Sequence, residues 1–233
     1  IKTQANAGYI EIIEANPFDE EELKPYFEKT DICINLIGIL FEKGKKNSFT
    51  NIHSYFPMML AKLANQNKIQ QLIHVSALGV EKAVDSKYAI SKLNGEKNVL
   101  KFFNKSLILR PSIVYSIDDN FSTTFMTLLN RLPIFPIYYN GKTKFTPIHC
   151  SDMTDIILNA INKNINSKII ECVGPEILSF KEILIILLNS IDKKRFFLPF
   201  PLFAAKISAK IFEIMPNPLL TSDQLKLLKH DNV

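Results

Sequence analysis

The sequence predicts an α/β chain built on a doubly wound parallel sheet, with a small, mostly helical C-terminal lobe. Asp31-Ile32-Cys33-Ile34-Asn35-Leu36-Ile37-Gly38 is a largely apolar run ending at a glycine, the pattern of a strand buried on both faces of a parallel sheet. Tyr88 to Phe103 reads as a helix between two more apolar strands, Leu72-Ile73-His74-Val75-Ser76 and Leu107-Ile108-Leu109-Arg110-Pro111. Strands that alternate with helices of this length mean βαβ units.

Taken in order, Gly8 to Asn16 alternates as a strand. Asn51 to Asn65 reads as a helix that buries Met58, Met59, Ala61, Leu63 and Ala64. His74, between Ile73 and Val75, reads as a packed core histidine. Past Tyr115 the period weakens, so residues 1–115 are expected to form the sheet domain. Residues 116–233 form the second lobe and return one strand to the sheet near 169–173. In that lobe a helix is expected around Phe125 to Leu129, then a Pro-rich turn, Leu132-Pro133-Ile134-Phe135-Pro136. Ser151 is placed to cap a helix over Asp152 to Asn162, with Asp152 favouring its N-terminus. Ser179-Phe180-Lys181-Glu182 and Thr221-Ser222-Asp223-Gln224 both have capping-box spacing. Between Phe196 and Met215, Phe203, Ile207, Ile211 and Ile214 share one helix side, expected to be core. No apolar run reaches the roughly 18–20 residues a spanning helix needs.

Composition narrows the classes further. The chain has 233 residues, 47% hydrophobic, with net charge +5 and a pI near 9.0. Its basic clusters, Lys43-Gly44-Lys45-Lys46 and Lys193-Lys194-Arg195, suit solvated loops first and an acidic membrane surface second. No aromatic residues interleave with them, which argues against nucleic acid as a partner. Cys33, Cys150 and Cys172 are widely spaced and odd in number. They predict neither a disulfide framework nor a metal site, and a reducing, cytoplasmic setting. The four histidines show no ligand spacing either.

Tyr88-Ala89-Ile90-Ser91-Lys92 carries the chemistry. Residues four apart share a helix face, so phenol and ammonium can meet one bound molecule. A charged lysine favours phenolate over phenol and moves the tyrosine toward acid/base work. Asn35-Leu36-Ile37-Gly38, Tyr88/Lys92 and Arg110-Pro111-Ser112-Ile113-Val114-Tyr115 follow the order and spacing of extended or atypical short-chain dehydrogenases, whose fold is the dinucleotide-binding Rossmann sheet. The resemblance implies that Asn35, Leu36 and Gly38 lie under NAD or NADP. It implies also that Tyr88 and Lys92 reach the nicotinamide and its ribose, and that Pro111 passes the nicotinamide amide.

The phosphate-cradling glycine loop of that family has no counterpart here, since only 7 glycines occur and none cluster. The chain therefore reads as a fragment without the first two strands and that loop. Gly8 to Asn16 would be the third strand, with Asn16 near the adenine. In a sheet ordered 3-2-1-4-5-6 it would lie roughly 14 Å from the Ile34 strand with an empty slot between, and dinucleotide binding would be weak.

The second half sharpens the resemblance. Phe197-Leu198-Pro199-Phe200-Pro201, Glu213-Ile214-Met215-Pro216, Leu220-Thr221-Ser222-Asp223-Gln224 and Lys229-His230-Asp231-Asn232-Val233 resemble the dinucleotide-binding accessory subunit of respiratory complex I and its alphaproteobacterial relatives. That family implies a tightly held, often structural NADP(H) or NAD(H). It also implies respiratory-chain or quinone-related partners and a peripheral place on the inner face of the bacterial inner membrane. Short-chain dehydrogenase chemistry further wants a serine or threonine about two residues beyond the strand of Ser76. Leu78 stands there and has no hydroxyl, with Ser76 as the substitute. A structural or assembly subunit is therefore expected; the alternative is an active NAD(P)-dependent oxidoreductase or nucleotide-sugar epimerase/dehydratase using Tyr88, Lys92 and Ser76.

Overall fold

The computed structural model describes residues 9–213, 218 and 220–233. Its first half runs α1 (Glu20–Phe27), β1 (Ile32–Asn35), a π-helical turn (Thr50–Tyr55) leading into α2 (Phe56–Gln66), β2 (Gln71–Val75), α3 (Lys87–Phe102) and β3 (Ser106–Pro111). Then follow β4 (Val114–Tyr115), α4 (Asn120–Arg131), β5 (Ile134–Ile137), β6 (Lys144–Phe145), β7 (Ile148–His149) and α5 (Cys150–Asn162). The chain closes with β8 (Lys168–Cys172), β9 (Leu178–Ser179), α6 (Phe180–Ser190), β10 (Phe196–Pro199), α7 (Leu202–Phe212) and α8 (Ser222–Leu227).

The main sheet has the order β1-β2-β3-β8, with every neighbouring pair parallel. Alternation along its strands sorts the core into two layers. Leu72 and Ile108 face α2 and α3, packing with Leu63, Val99 and Phe103. Ile73, Leu107 and Leu109 face α5, packing with Met153 and Ala160. Burying each such side chain contributes roughly 1.5–3 kcal/mol, which explains near-continuous apolar strands in place of alternating ones. The doubly wound parallel sheet, the core placement of His74 at 1% exposure and both capping boxes are as the sequence predicts. A third core of Phe135, Phe180, Leu184 and Leu188 joins α4, β5 and α6.

Four expectations are corrected. Tyr9 to Asn16 is not a strand; Gly8 lies outside the described residues. A strand needs a hydrogen-bonded neighbour, and among the described residues none pairs with this segment. Asn16 instead lies in the turn that precedes α1, its Oδ1 accepting from Phe18 N–H, while Asp19 caps the helix. The Pro-rich stretch is not only a turn: Ile134–Ile137 forms β5, parallel to β10, where Pro136 faces Leu198. A proline is tolerated because each strand of a two-stranded ribbon is an edge. His149, not Ser151, caps α5, its Nδ1 accepting from Ser151 N–H. Finally, Phe203 and Ile207 are 71% and 58% exposed, because α7 turns Ala205 and Ala209 inward. Small side chains let that helix pack closely on Leu225, Tyr138 and Phe200. The Ile211 side chain and Ile214 lie outside the described residues.

Candidate functional site

The carboxyl ends of β1, β2 and β3 converge with the first turns of α3. Ser86 starts that helix by accepting from Ala89 N–H, which puts Tyr88 and Lys92 on successive turns of one face. Lys92 is 5% exposed, and its ammonium donates to Val75 O at 3.2 Å. A β-carbon placed on Gly38 would lie 3.2 Å from Lys92 Nζ and 3.8 Å from His53 Nε2. The loop after β1 thus passes over the lysine at a distance that favours a residue without a side chain. Burial pulls the Lys92 pKa down to about 8, opposed by the Glu96 carboxylate one turn on. Glu96 is itself held by Arg110, through Nε at 3.0 Å and Nη2 at 2.7 Å. Arg110 therefore serves the α3–β3 junction.

Tyr88 lies in the first turn of α3, one turn before Lys92. Burial pushes its phenol up to about 12. The ring stands edge-on to Phe49 at 5.8 Å and to His53 at 5.1 Å. The cause of the rise is the cost of taking a phenolate out of water.

His53 comes from the π-helical turn, a distortion that often accompanies sites, and it gives no sign of itself in the sequence. Ser91 Oγ donates to Tyr88 O at 2.7 Å, so His53 Nδ1–H is assigned as donor to Ser91 Oγ at 2.9 Å. The other ring nitrogen, Nε2, accepts from Ile39 N–H at 3.0 Å. Burial and the Lys92 charge lower its pKa to about 3, keeping it neutral. One neutral imidazole thus ties the Gly38 loop to the helix of Tyr88 and Lys92.

The other candidates separate. Asn35 is 3% exposed; its Nδ2 donates to His74 Nδ1 at 3.0 Å and its Oδ1 accepts from Ile37 N–H, so its side chain shapes the turn. Leu36 is 68% exposed beside it. Ser76 is buried, and its hydroxyl has no partner among the described residues. Leu78 is buried, donating N–H to Pro111 O at 2.9 Å. Asn16 joins no hydrogen bond with this group; it bonds within the approach to α1. Asp152 is exposed in the first turn of α5.

Two tail residues missed in the sequence brace the site. Asp223 accepts from Ser86 Oγ at 2.7 Å, Lys87 N–H at 2.8 Å and Tyr88 N–H at 2.9 Å. Asn232 donates to Leu78 O and accepts from Ser112 Oγ, both at 2.6 Å, linking the segments after β2 and β3. Their motifs were visible as family features, but the contacts span more than 100 residues of chain, as the separation of 120 between Ser112 and Asn232 shows.

Sheet order, helices on both faces and a Tyr/Lys helix at the carboxyl edge define a Rossmann-type fold of the kind found in NAD(P)-binding reductases and epimerases. Among solved structures it is similar to a dTDP-4-dehydrorhamnose reductase from Clostridium acetobutylicum, with TM-score 0.70 and 14% identity over 98% of this chain and 92% of that one. A UDP-glucuronic acid 4-epimerase from Bacillus cereus in complex with NAD gives TM-score 0.65 at 22% identity, covering 78% and 67%. In sequence the chain is similar over its whole length to NADH dehydrogenase [ubiquinone] 1 alpha subcomplex subunit 9, mitochondrial, of Arabidopsis thaliana, at 25% identity, and of Mus musculus, at 23%. It spans 61% and 62% of those relatives' lengths. No family model matches the chain. The resemblance to the complex I accessory subunit, read from the tail motifs, is the one that these relatives bear out.

Proposed function

We propose that this chain is a nicotinamide-dinucleotide-binding, short-chain-dehydrogenase-like subunit with a structural or assembly role beside respiratory complex I. The observation that carries it is the buried Lys92 ammonium under Gly38, one turn beyond Tyr88, in a chain similar along its full length to complex I subunits. The nicotinamide-ribose end of a dinucleotide fits these residues: Lys92 would hold ribose hydroxyls, Tyr88 would donate a hydrogen bond, and Gly38 leaves room. A bound dinucleotide would supply hydride chemistry. The pyrophosphate end finds no glycine-rich cradle in this sequence, so the chain by itself is expected to bind weakly.

A structural role is supported over catalysis by Leu78, whose place a hydroxyl donor would take. Losing such a donor costs on the order of 2.7–4 kcal/mol in a transition state. The runner-up, an active oxidoreductase or epimerase, rests on the intact Tyr88/Lys92 pair. The test is the protein purified with its nucleotide. On the structural reading the cofactor's redox state stays constant with added hydroxy or keto compounds, and Tyr88→Phe changes affinity alone. Rapid turnover would overturn it.

Peripheral membrane attachment is part of the proposal. No helix among the described residues is long and apolar enough to cross a membrane. Phe203 and Ile207 project from α7 beside exposed Lys206 and Lys210, and Phe196 and Leu198 are exposed on β10. An apolar face flanked by lysines suits the boundary of an anionic bilayer.

A further inference from the structure

We propose that the cavity beyond the carboxyl ends of β3 and β8 binds an uncharged, predominantly apolar small molecule. β3 ends at Pro111 and leads into Ile113, and β8 ends at Cys172 and leads into Pro175; both Ile113 and Pro175 line a cavity of about 320 Å³. Parallel α/β sheets present ligand sites at this edge, and the volume falls in the lower range of small-molecule sites. Phe121 from α4, Leu178, and Ile183, Ile186 and Leu187 from α6 form its other apolar walls. The polar lining groups are Tyr115, Ser122 and Glu176.

Charge decides the ligand class. Among the described residues no lysine, arginine or histidine lines the cavity, and the one charged lining residue is Glu176. The two helix N-termini nearby are already filled by carboxylates: Asp119 accepts from Ser122 N–H at 2.6 Å, and Glu182 accepts from Ser179 N–H at 2.7 Å. Neither positive dipole end is open to a ligand anion. Lys181, in the first turn of α6, lies toward Gly141, whose added β-carbon would meet Lys181 Cβ at 2.8 Å, on the helix side away from Ile183 and Ile186. His149 packs edge-on to Tyr115 at 5.2 Å with Nδ1 accepting from Ser151 N–H. A phosphate or carboxylate would therefore be desolvated beside carboxylates with no cation to offset the loss. A neutral molecule with a hydroxyl or carbonyl for Ser122 or Tyr115 meets no such obstacle.

The test is saturable binding of the neutral fluorophore N-phenyl-1-naphthylamine to the whole chain, followed by displacement. We expect 1-decanol to displace it, 1-octanol to do so more weakly by roughly fourfold per methylene removed, and decanoate at least about fivefold more weakly than decanol. UDP should not displace it. Glu176 and Ile186 are exposed, so substitutions there leave folding intact: Glu176→Gln should narrow the decanol–decanoate gap, and Ile186→Asp should weaken fluorophore binding at least about tenfold. Phe203→Asp, on the separate α7 surface, should change nothing. The proposal is overturned by displacement with UDP, by decanoate equalling decanol, by decylamine binding more than about tenfold tighter than decanol, or by an Ile186→Asp protein that binds as before. Because neither Tyr88 nor Lys92 is involved, this outcome is independent of dinucleotide binding.

Discussion

At the scale of single residues, the site is a set of titratable groups held in their neutral or reluctantly charged forms. Lys92 falls from its ordinary 10.5 to about 8. Between pH 8 and 10 the unfolded chain therefore carries more protons at this position than the native one, so stability rises with pH by up to about 1.4 kcal/mol per unit. Urea unfolding at pH 8.0 and 9.5 should show this rise, and Lys92→Met should flatten it; equal slopes would exclude a buried, depressed lysine. His53 and His74 both sit near 3. Protons bind them in the unfolded state first, so stability present above pH 6.5 is lost as pH falls, by up to about 1.4 kcal/mol per unit for each. Stability that stays constant from pH 6.5 to 5.0 would contradict two buried neutral imidazoles. The sequence pattern showed His74 as core, because a histidine inside an apolar strand has few other places to go. It could not show His53, whose neighbours are brought to it by the packing of the π-helical turn against α3.

At the scale of elements, α3 is positioned from both ends of the chain. Its close approach to the π-helical turn depends on Gly95, where an added β-carbon would lie 1.9 Å from His53 O. Gly95→Ala should lower stability by about 1–3 kcal/mol despite alanine's better helix propensity, which thermal unfolding would measure; unchanged stability would mean that this approach is not close. Asp223→Ala removes acceptors from three donors of the first turn, one of them the Ser86 hydroxyl. A loss of about 1–3 kcal/mol is expected, with faster amide exchange concentrated at residues 86–90. Uniform exchange along α3 would sink the brace. The capping boxes at Ser179 and Thr221 were legible in the sequence because a cap is a contact within one turn. The role of Asp223 was not, because its partners lie 135–137 residues away.

At the scale of the whole molecule, two surfaces distinguish the chain. β1 lies at one end of the sheet order, and Ile34, Leu36, Ile37 and Leu40 near it are 41%, 68%, 44% and 59% exposed. The second surface is the exposed side of α7 that carries Phe203 and Ile207. Phe203→Asp combined with Ile207→Asp should abolish sedimentation with anionic vesicles while shifting the melting temperature by no more than a surface change does. Wild-type protein should release from those vesicles as salt rises. Retained binding by the double variant would remove the membrane proposal.

The parallel sheet, the helix carrying Tyr88 and Lys92, both capping boxes and the resemblance to the complex I accessory subunit were determined by sequence alone. They rest on periodicity and local hydrogen bonding, which act within a few residues. Tertiary structure decided which face of α7 is buried and how His53, Asp223 and Asn232 are brought against the segments around Tyr88 and Lys92. Each of those depends on desolvation and on contacts between distant segments, and these come into being only when the chain packs.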